Sequence, residues 1–294
     1  MRGAAGPVID AASSRSRRSA WAVAAAEANR RALLAVCGDE RLLPPARGGG
    51  SGPLGCGVYG CVMPTSDDRV VFKITSDPDE AGFVAAALGE PDQPAGVVTY
   101  YAVAELEQRR RGRPVYAIWR EAAREVGALL LPYGPTSRAF YALRRFRYAA
   151  VSLRAAARRS RSRAFVADSV SEARSRHRYL SYSEIETERG LTSAISSRRG
   201  VARGAMAYAA AEMHAQALSR IEGVYDVGES LVEWIGRGVL VCDVHPGNLG
   251  LVVRGLVRRT VITDPGQALL LDGSHAGLSV PKIASAPAAH GRFP

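Results

Sequence analysis

Two apolar segments of this chain each end in an aspartate. Residues 239–242 (VLVC) precede Asp243, and residues 261–263 (VIT) precede Asp264, so each acid follows a predicted buried strand. Asn248 lies between the two acids in the sequence. Carboxylate and amide oxygens can hold a divalent cation, and a carboxylate can also orient a hydroxyl group for reaction. The three residues therefore predict a site that combines a metal ion with hydroxyl chemistry.

The composition is that of a globular protein with a basic charge balance. The hydrophobic fraction is 47% and the formal net charge is +11. No apolar run reaches the roughly 18 residues that a membrane span needs. Almost all the positive charge is arginine, since Lys73 and Lys282 are the only lysines. This charge indicates either solvated arginine-rich faces or attraction to an acidic partner such as a nucleotide or a nucleic acid.

The cysteines and the first residues bear on the compartment. The spacing of the four cysteines includes no C-x-x-C motif, and the residues are Cys37, Cys56, Cys61 and Cys242. We therefore expect neither a zinc site nor a disulfide scaffold, and a reducing cytoplasm fits. Residues 1–18 lack the apolar core of a secretory signal and predict a disordered basic tail, with an organelle-targeting peptide as the alternative.

A glycine-rich segment opens the predicted catalytic domain. Four positions of residues 54–62 (LGCGVYGCV) fit the pattern G-x-G-x-x-G-x-V, namely Gly55, Gly57, Gly60 and Val62. After a turn, residues 70–74 (VVFKI) predict a strand that carries Lys73. Because a strand and not a helix follows the glycines, we reject a dinucleotide-binding fold, and Cys61 after Gly60 excludes a Walker A loop.

A glycine-rich hairpin followed by a lysine-bearing strand resembles the phosphate-covering hairpin of the protein-kinase-like superfamily. The resemblance implies that the three glycines and Val62 cover bound ATP, and that Lys73 holds its α and β phosphates while paired with an acid. Glu80 is the expected partner, because Asp77-Pro78 predicts a helix start directly before it. Glu90 is the alternative partner, and Glu80 would then only complement the helix dipole.

The resemblance extends to the two aspartates. Residues 243–248 (DVHPGN) resemble the D-x-H-P-x-N loop of aminoglycoside kinases, choline kinases and UbiB-type atypical kinases. This implies that Asp243 orients the acceptor hydroxyl and that Asn248 and Asp264 bind Mg²⁺. His245 takes the place of a lysine that touches the γ phosphate, and it would either do so when protonated or shuttle a proton. The metal motif reads D-P-G where protein kinases have D-F-G, so their phenylalanine switch is not expected.

We predict an α+β, two-lobed protein-kinase-like fold. Its parts are a basic tail, accessory helix and Gly/Pro linker (1–53), a small antiparallel β-rich lobe ending in a hinge (54–123), and a mostly helical lobe with an arginine-rich insertion (124–294). Glu121 in the hinge is a candidate nucleotide contact. Because only residues 267–294 follow D-P-G, we expect a truncated second lobe without the usual peptide-docking platform.

The predicted function is that of a cytoplasmic enzyme that uses ATP and Mg²⁺ to transfer a phosphoryl group to a hydroxyl. The acceptor, a protein or a small molecule, stays open, as does transfer of AMP in place of phosphate. The main alternative is a pseudokinase that binds nucleotide and catalyses little. A nucleic-acid binder built on the arginine-rich residues 138–203 is a further alternative, and it predicts salt-sensitive binding.

Overall fold

The computed structural model describes residues 11–46, 52–90, 92–125, 137–160, 162–175, 187–272, 280–283 and 293. The predicted tail residues 1–10, the linker residues 47–51 and most of the predicted short end after residue 272 lie outside that part of the chain. The chain divides into two compact units. Unit 1 is Met1–Val84, Tyr100–Glu121 and Val280–Pro294, and unit 2 is Ala85–Thr99 and Ala122–Ser279.

A five-stranded antiparallel sheet forms the centre of unit 1. Its strands lie in the order β1-β2-β3-β5-β4. They are β1 (Gly55–Cys56), β2 (Gly60–Pro64), β3 (Val70–Thr75), β4 (Tyr100–Arg110) and β5 (Arg113–Glu121). The apolar residues 97–104 (VVTYYAVA) predict a strand, but β4 begins only at Tyr100. The N–H of Val98, which belongs to unit 2, donates to the Ile262 carbonyl of the same unit instead (3.1 Å).

Two helices and the sheet share one core in unit 1. Helix α1 (Ala11–Ala28) and helix α2 (Arg30–Cys37) contribute Ala22, Leu33 and other apolar residues to the cluster that contains Phe72 and Trp119. The two aromatic rings meet edge to face, with centroids 5.0 Å apart. The indole Nε1 of Trp119 donates to the Leu42 carbonyl (3.0 Å). The apolar pattern of the accessory helix is therefore explained by its packing on this face of the sheet.

The accessory helix differs from its prediction in two respects. It begins at Ala11, within residues for which the sequence predicted a disordered tail, and it is interrupted at Asn29. The side-chain amide of Asn29 donates to the Ala25 carbonyl (2.8 Å) and to Gln108 (2.6 Å). Such side-chain bonds compete with the helical backbone pattern, which explains the break between α1 and α2.

Cys56 and Cys61 form a disulfide, so the expectation of no disulfide was wrong. The two cysteines are directly opposite on β1 and β2, with Cα atoms 4.1 Å apart. A tight turn at Val58 and Tyr59 brings them together, and the sequence spacing alone did not reveal this register. Cys37 and Cys242 are buried free thiols.

Helices make up most of unit 2. They are α4 (Arg138–Arg159), α5 (Phe165–Ser175), α6 (Glu188–Ser196), α7 (Gly200–Leu218) and α8 (Tyr225–Gly236), and α3 (Pro78–Gly89) runs from unit 1 into unit 2. Ser137 caps α4, because its Oγ accepts the N–H of Phe140 (3.1 Å). The helical spacing of Phe140, Leu143, Phe146, Ala150 and Leu153 in the sequence predicts an apolar stripe, and helix α4 packs on α7. The Ser/Arg-rich residues 171–178 predict a linker or loop edge, but helix α5 covers residues 171–175.

Short strands complete unit 2. Strand β7 (Val239–Val241) pairs with β10 (Ala268–Leu270). Strand β8 (Leu249–Arg254) pairs with β9 (Val257–Ile262) and with β6 (Arg124–Glu125). The predicted α+β class is therefore confirmed. Within the described ranges, no helix combines the length and the apolarity needed to cross a membrane.

The disulfide predicts how many cysteine thiols react with an alkylating reagent. Under denaturing conditions without a reductant, an alkylating reagent should modify Cys37 and Cys242 only, and after reduction it should modify all four cysteines. Replacing Cys56 and Cys61 by serine should lower the free energy of unfolding by about 2 kcal/mol, the chain-entropy estimate for so short a loop. Mass spectrometry and urea denaturation measure the two effects. Modification of four thiols without reduction would contradict the disulfide.

A buried histidine predicts a pH-dependent stability. His214 on α7 is 4% exposed. Burial, with a smaller contribution from the charge of Arg145, lowers its pKa from 6.5 to about 4. Between these values the unfolded state binds the proton that the folded state does not, so stability falls as the pH drops. We expect a loss on the order of 2–3 kcal/mol between about pH 7 and about pH 4.

The matched variant is His214→Gln, which cannot titrate in this range. Urea denaturation at a series of pH values should show a shallower fall in the free energy of unfolding for this variant than for the wild type. Equal slopes for the two proteins would show that His214 is not the group responsible.

Candidate functional site

Lys73 and Glu80 form a buried ion pair in unit 1. Lys73 Nζ lies 2.5 Å from Glu80 Oε1. The two residues are 5% and 2% exposed, respectively. Because each charge would be costly to bury alone, the pair fixes the lysine side chain at a defined position on β3.

The start of helix α3 explains why Glu80 is the partner. Asp77 caps the helix, since its Oδ1 accepts the N–H of Asp79 (3.0 Å), and Pro78 occupies the first helical position. Glu80 is thereby placed in the first turn, as the sequence predicted. The alternative partner, Glu90, lies in unit 2 and pairs with Arg237 (3.1 Å).

The glycine-rich hairpin lies beside Lys73 in the same sheet. Val62 is directly opposite Lys73 in the β2–β3 register, so the two side chains share a face of the sheet. A Cβ at Gly60 would lie 2.2 Å from the Ile74 carbonyl oxygen, so close strand packing requires glycine there. A Cβ at Gly55 or Gly57 would meet nothing within 4 Å. The local fold therefore does not require these two glycines, and they leave open space along the hairpin.

Three hydrogen bonds to one backbone carbonyl hold the tip of the hairpin in place. The carbonyl of Tyr59 accepts from the Ser76 N–H (2.9 Å), the Ser76 Oγ (3.0 Å) and Arg110 Nη1 (3.2 Å). Together with the disulfide below the tip, these bonds hold the hairpin against the end of β3 and against β4. Glu121, the other predicted nucleotide contact in unit 1, ends β5 opposite Val70 and is half-buried.

Two strand ladders bring the predicted catalytic and metal residues together in unit 2. Residues 242–248 connect β7 to β8, and residues 263–267 connect β9 to β10. Because β7 pairs with β10 and β8 pairs with β9, the two connecting segments lie side by side. The N–H of Thr263 donates to the Asn248 carbonyl (2.8 Å), which joins the two segments directly. Asp243, Asn248 and Asp264 thus belong to one cluster of loops.

The carboxylate of Asp243 is contacted by residues that sequence reasoning missed. Arg147 Nε on α4 donates to Oδ1 (2.8 Å), and Gln267 Nε2 lies 3.5 Å from Oδ2. Arg154, also on α4, donates to Gln267 Oε1 (3.2 Å). Arg147 and Arg154 are two helical turns apart and so lie on one face of α4. The spacing can be read from the sequence, but the many other arginines of this segment give no reason to single out these two.

Gln267 has a backbone conformation that side chains rarely adopt. Its φ is 65°, in the left-handed region. This conformation costs free energy, and the surrounding structure must compensate for it. The residue follows the D-P-G segment directly, and its side chain links Arg154 to Asp243. The residue with this unfavourable backbone conformation is therefore also one that contacts the Asp243 carboxylate.

His245 is held as a neutral imidazole. Its Nδ1 accepts the N–H of Gly247 (3.1 Å), so the ring proton is on Nε2, which lies 3.9 Å from Asp243 Oδ1. Burial lowers the pKa of His245, and the nearby charge of Asp243 opposes this effect. A neutral ring carries no charge for the cationic phosphate contact, and a proton shuttle would need Nδ1 to release the Gly247 N–H, so both roles of His245 stay predictions.

The donors at Asn248 and Asp264 suit Mg²⁺. The amide nitrogen of Asn248 donates to the Asp243 carbonyl (2.8 Å), so the amide oxygen is the atom that it can offer to a cation. The Oδ1 atom of Asp264 accepts the N–H of Gly266 (3.1 Å). Mg²⁺ commonly takes few protein oxygens together with phosphate oxygens and water. In the described ranges, no group of three or more His, Cys, Asp or Glu residues is arranged to hold a metal ion.

Comparison with models of known protein families finds none that matches the chain, and comparison with curated proteins finds no match either. The interpretation of the site therefore depends on the geometry and chemistry of these residues.

The buried ion pair predicts that replacing Glu80 alone lowers the free energy of unfolding more than replacing both Lys73 and Glu80. Glu80→Gln leaves the Lys73 ammonium buried without its carboxylate, and we expect a loss of about 3–5 kcal/mol in the free energy of unfolding. The double variant Lys73→Met/Glu80→Gln leaves no charge and should lose much less. Urea denaturation measures both variants. Arg41→Gln, which breaks an exposed ion pair with Asp39, is the control and should change stability far less. Equal losses in the single and double variants would contradict a charge-compensated pair.

Proposed function

We propose that this chain is a two-lobed, protein-kinase-like phosphotransferase that moves the γ-phosphoryl group of ATP to a hydroxyl group. The observation that carries the proposal is the gathering of Asp243, Asn248 and Asp264 on two loops that strand pairing holds side by side. A carboxylate for the hydroxyl and oxygen donors for Mg²⁺ are recurring parts of phosphoryl-transfer sites.

Asp243 and His245 serve the acceptor in this function. Asp243 accepts a hydrogen bond from the acceptor hydroxyl and receives its proton as the oxygen attacks phosphorus. Neutral His245 carries its proton on Nε2, 3.9 Å from Asp243 Oδ1, and faces the carboxylate as a donor, while the proton taken from the acceptor is released from Asp243 to solvent. Asn248 and Asp264 hold Mg²⁺, which neutralises charge on the β and γ phosphates when it is bound.

In this function, residues of unit 1 bind the nucleotide. Lys73, fixed by Glu80, binds the α and β phosphates. The hairpin of Gly55, Gly57, Gly60 and Val62 covers the phosphates, and the open space at its first two glycines supports this role. Glu121 contacts the nucleoside. The acceptor is a hydroxyl on a protein or on a small molecule.

A pseudokinase is the second candidate, and one observation favours it. Arg147 and Gln267 already contact both oxygens of Asp243, at 2.8 and 3.5 Å. An acceptor hydroxyl would compete with these donors. In a pseudokinase the chain would bind ATP and transfer little phosphate, and the two functions differ in turnover and not in binding.

The experiment uses ATP labelled at the γ phosphate and, in parallel, at the α phosphate, with Mg²⁺ and the full chain. We expect γ-label to appear as free phosphate or on the protein itself, and no transfer of α-label. Asp243→Asn should lower turnover by about 100-fold or more, since it removes the proton acceptor. Asp168→Asn changes an exposed carboxylate of α5 and is the control. Melting temperatures verify that both variants fold.

Three results would count against the proposal. Transfer of α-label would indicate AMP transfer, and full activity of Asp243→Asn would remove the assigned catalytic group. Stabilisation of the chain by ATP and Mg²⁺ without any turnover would support the pseudokinase.

A further inference from the structure

Arg147 contacts Asp243 through only one of its donors. The bond is between Nε and Asp243 Oδ1 at 2.8 Å, and the arginine side chain is 46% exposed. A guanidinium carries five N–H groups, four of them on the two terminal nitrogens. Within the described ranges, those terminal nitrogens have no hydrogen-bond acceptor. Arg147 thus contacts the carboxylate through Nε, and its two terminal nitrogens can donate to another acceptor.

The free end of this side chain has the chemistry of an oxyanion receptor. The two terminal nitrogens of arginine bind two oxygens of a phosphate in parallel, and partial exposure keeps them accessible to a ligand. The charge of arginine is also present at any pH at which proteins are folded. The neutral His245 beside it supplies no such charge, because its Nδ1 is occupied as an acceptor.

A purely structural role for Arg147 would leave this geometry unexplained. A pair that served only to anchor Asp243 gains most from the two-point contact that arginine makes with carboxylates, and here the contact is one-point. Asp243 also has a second support, because Gln267 approaches its other oxygen and is itself held by Arg154.

We propose that Arg147 is a catalytic residue that binds the phosphoryl group during its transfer to the acceptor at Asp243. The proposal rests on the phosphotransferase function and deepens it, since it adds a residue from α4, outside the D-x-H-P-x-N loop. The ligand class is a tetrahedral or trigonal-planar phosphoryl oxyanion.

In this step, the acceptor oxygen forms a bond to the γ phosphorus while the bond from that phosphorus to the β,γ-bridging oxygen breaks. The electron pair leaves with ADP, and the hydroxyl proton passes to Asp243. Arg147 neither gains nor loses a proton, and its terminal N–H groups stabilise the negative charge on the equatorial oxygens.

The test compares Arg147→Gln and Arg147→Lys with Arg138→Gln, an exposed arginine of the same helix. Phosphate release from ATP and Mg²⁺ is measured as kcat and KM. Arg147→Gln should lower kcat by about 100- to 1000-fold with little change in KM, because the contact forms mainly in the transition state. Arg147→Lys should recover part of the loss, since a point charge remains. Arg138→Gln should behave as the wild type.

A binding measurement separates this role from a structural one. ADP, Mg²⁺ and aluminium fluoride together imitate the transition state of phosphoryl transfer. They should raise the melting temperature of the wild type above that with ADP and Mg²⁺ alone. Arg147→Gln should lose this additional shift while it keeps the shift caused by ADP.

Each remaining outcome overturns the proposal in a recognisable way. Unchanged kcat and an unchanged fluoride-dependent shift in Arg147→Gln would refute Arg147 alone and leave the phosphotransferase function intact. A rise in kcat would show that Arg147 instead blocks Asp243. A wild type with neither turnover nor any shift with ADP would refute the phosphotransferase function itself, and the role of Arg147 with it.

Discussion

Backbone pairing between short antiparallel strands is the constraint on which the candidate residues of each unit depend. In unit 1, the β2–β3 register places Val62 opposite Lys73 and requires glycine at position 60. In unit 2, the two ladders align the loop after β7 with the loop before β10. A shift of one residue in either register would turn the candidate side chains to the opposite face or separate the loops.

The parts of the site that could be predicted from the sequence are local. Lys73 and Glu80 are close in the chain, and an Asp-Pro helix start fixes the acid relative to the strand. Asp243 and Asn248 belong to one loop, so their spacing was informative. The α+β class and the main helices and strands followed from apolar periodicity, although the ends of β4 and α1 did not.

The parts that could not be predicted depend on contacts between distant residues. Arg147 meets Asp243 only because α4 packs where it does, and its sequence context is that of many other arginines. The disulfide depends on a tight turn that brings Cys56 opposite Cys61. The conformation of Gln267 depends on the β7–β10 ladder and on the partners of its side chain. Propensity and periodicity describe single segments, and none of these features belongs to a single segment.

The packing of α1 and α2 on the sheet has a practical consequence for how the protein can be shortened. The Gly/Pro-rich residues after α2 suggest a natural place to trim, and a shortened chain would begin at the glycine-rich hairpin. The aromatic face that carries Phe72 and Trp119 would then lose its cover, and the indole of Trp119 would lose its acceptor. A newly exposed apolar surface of this kind promotes self-association. The first helices are therefore part of the folding unit and not a removable extension.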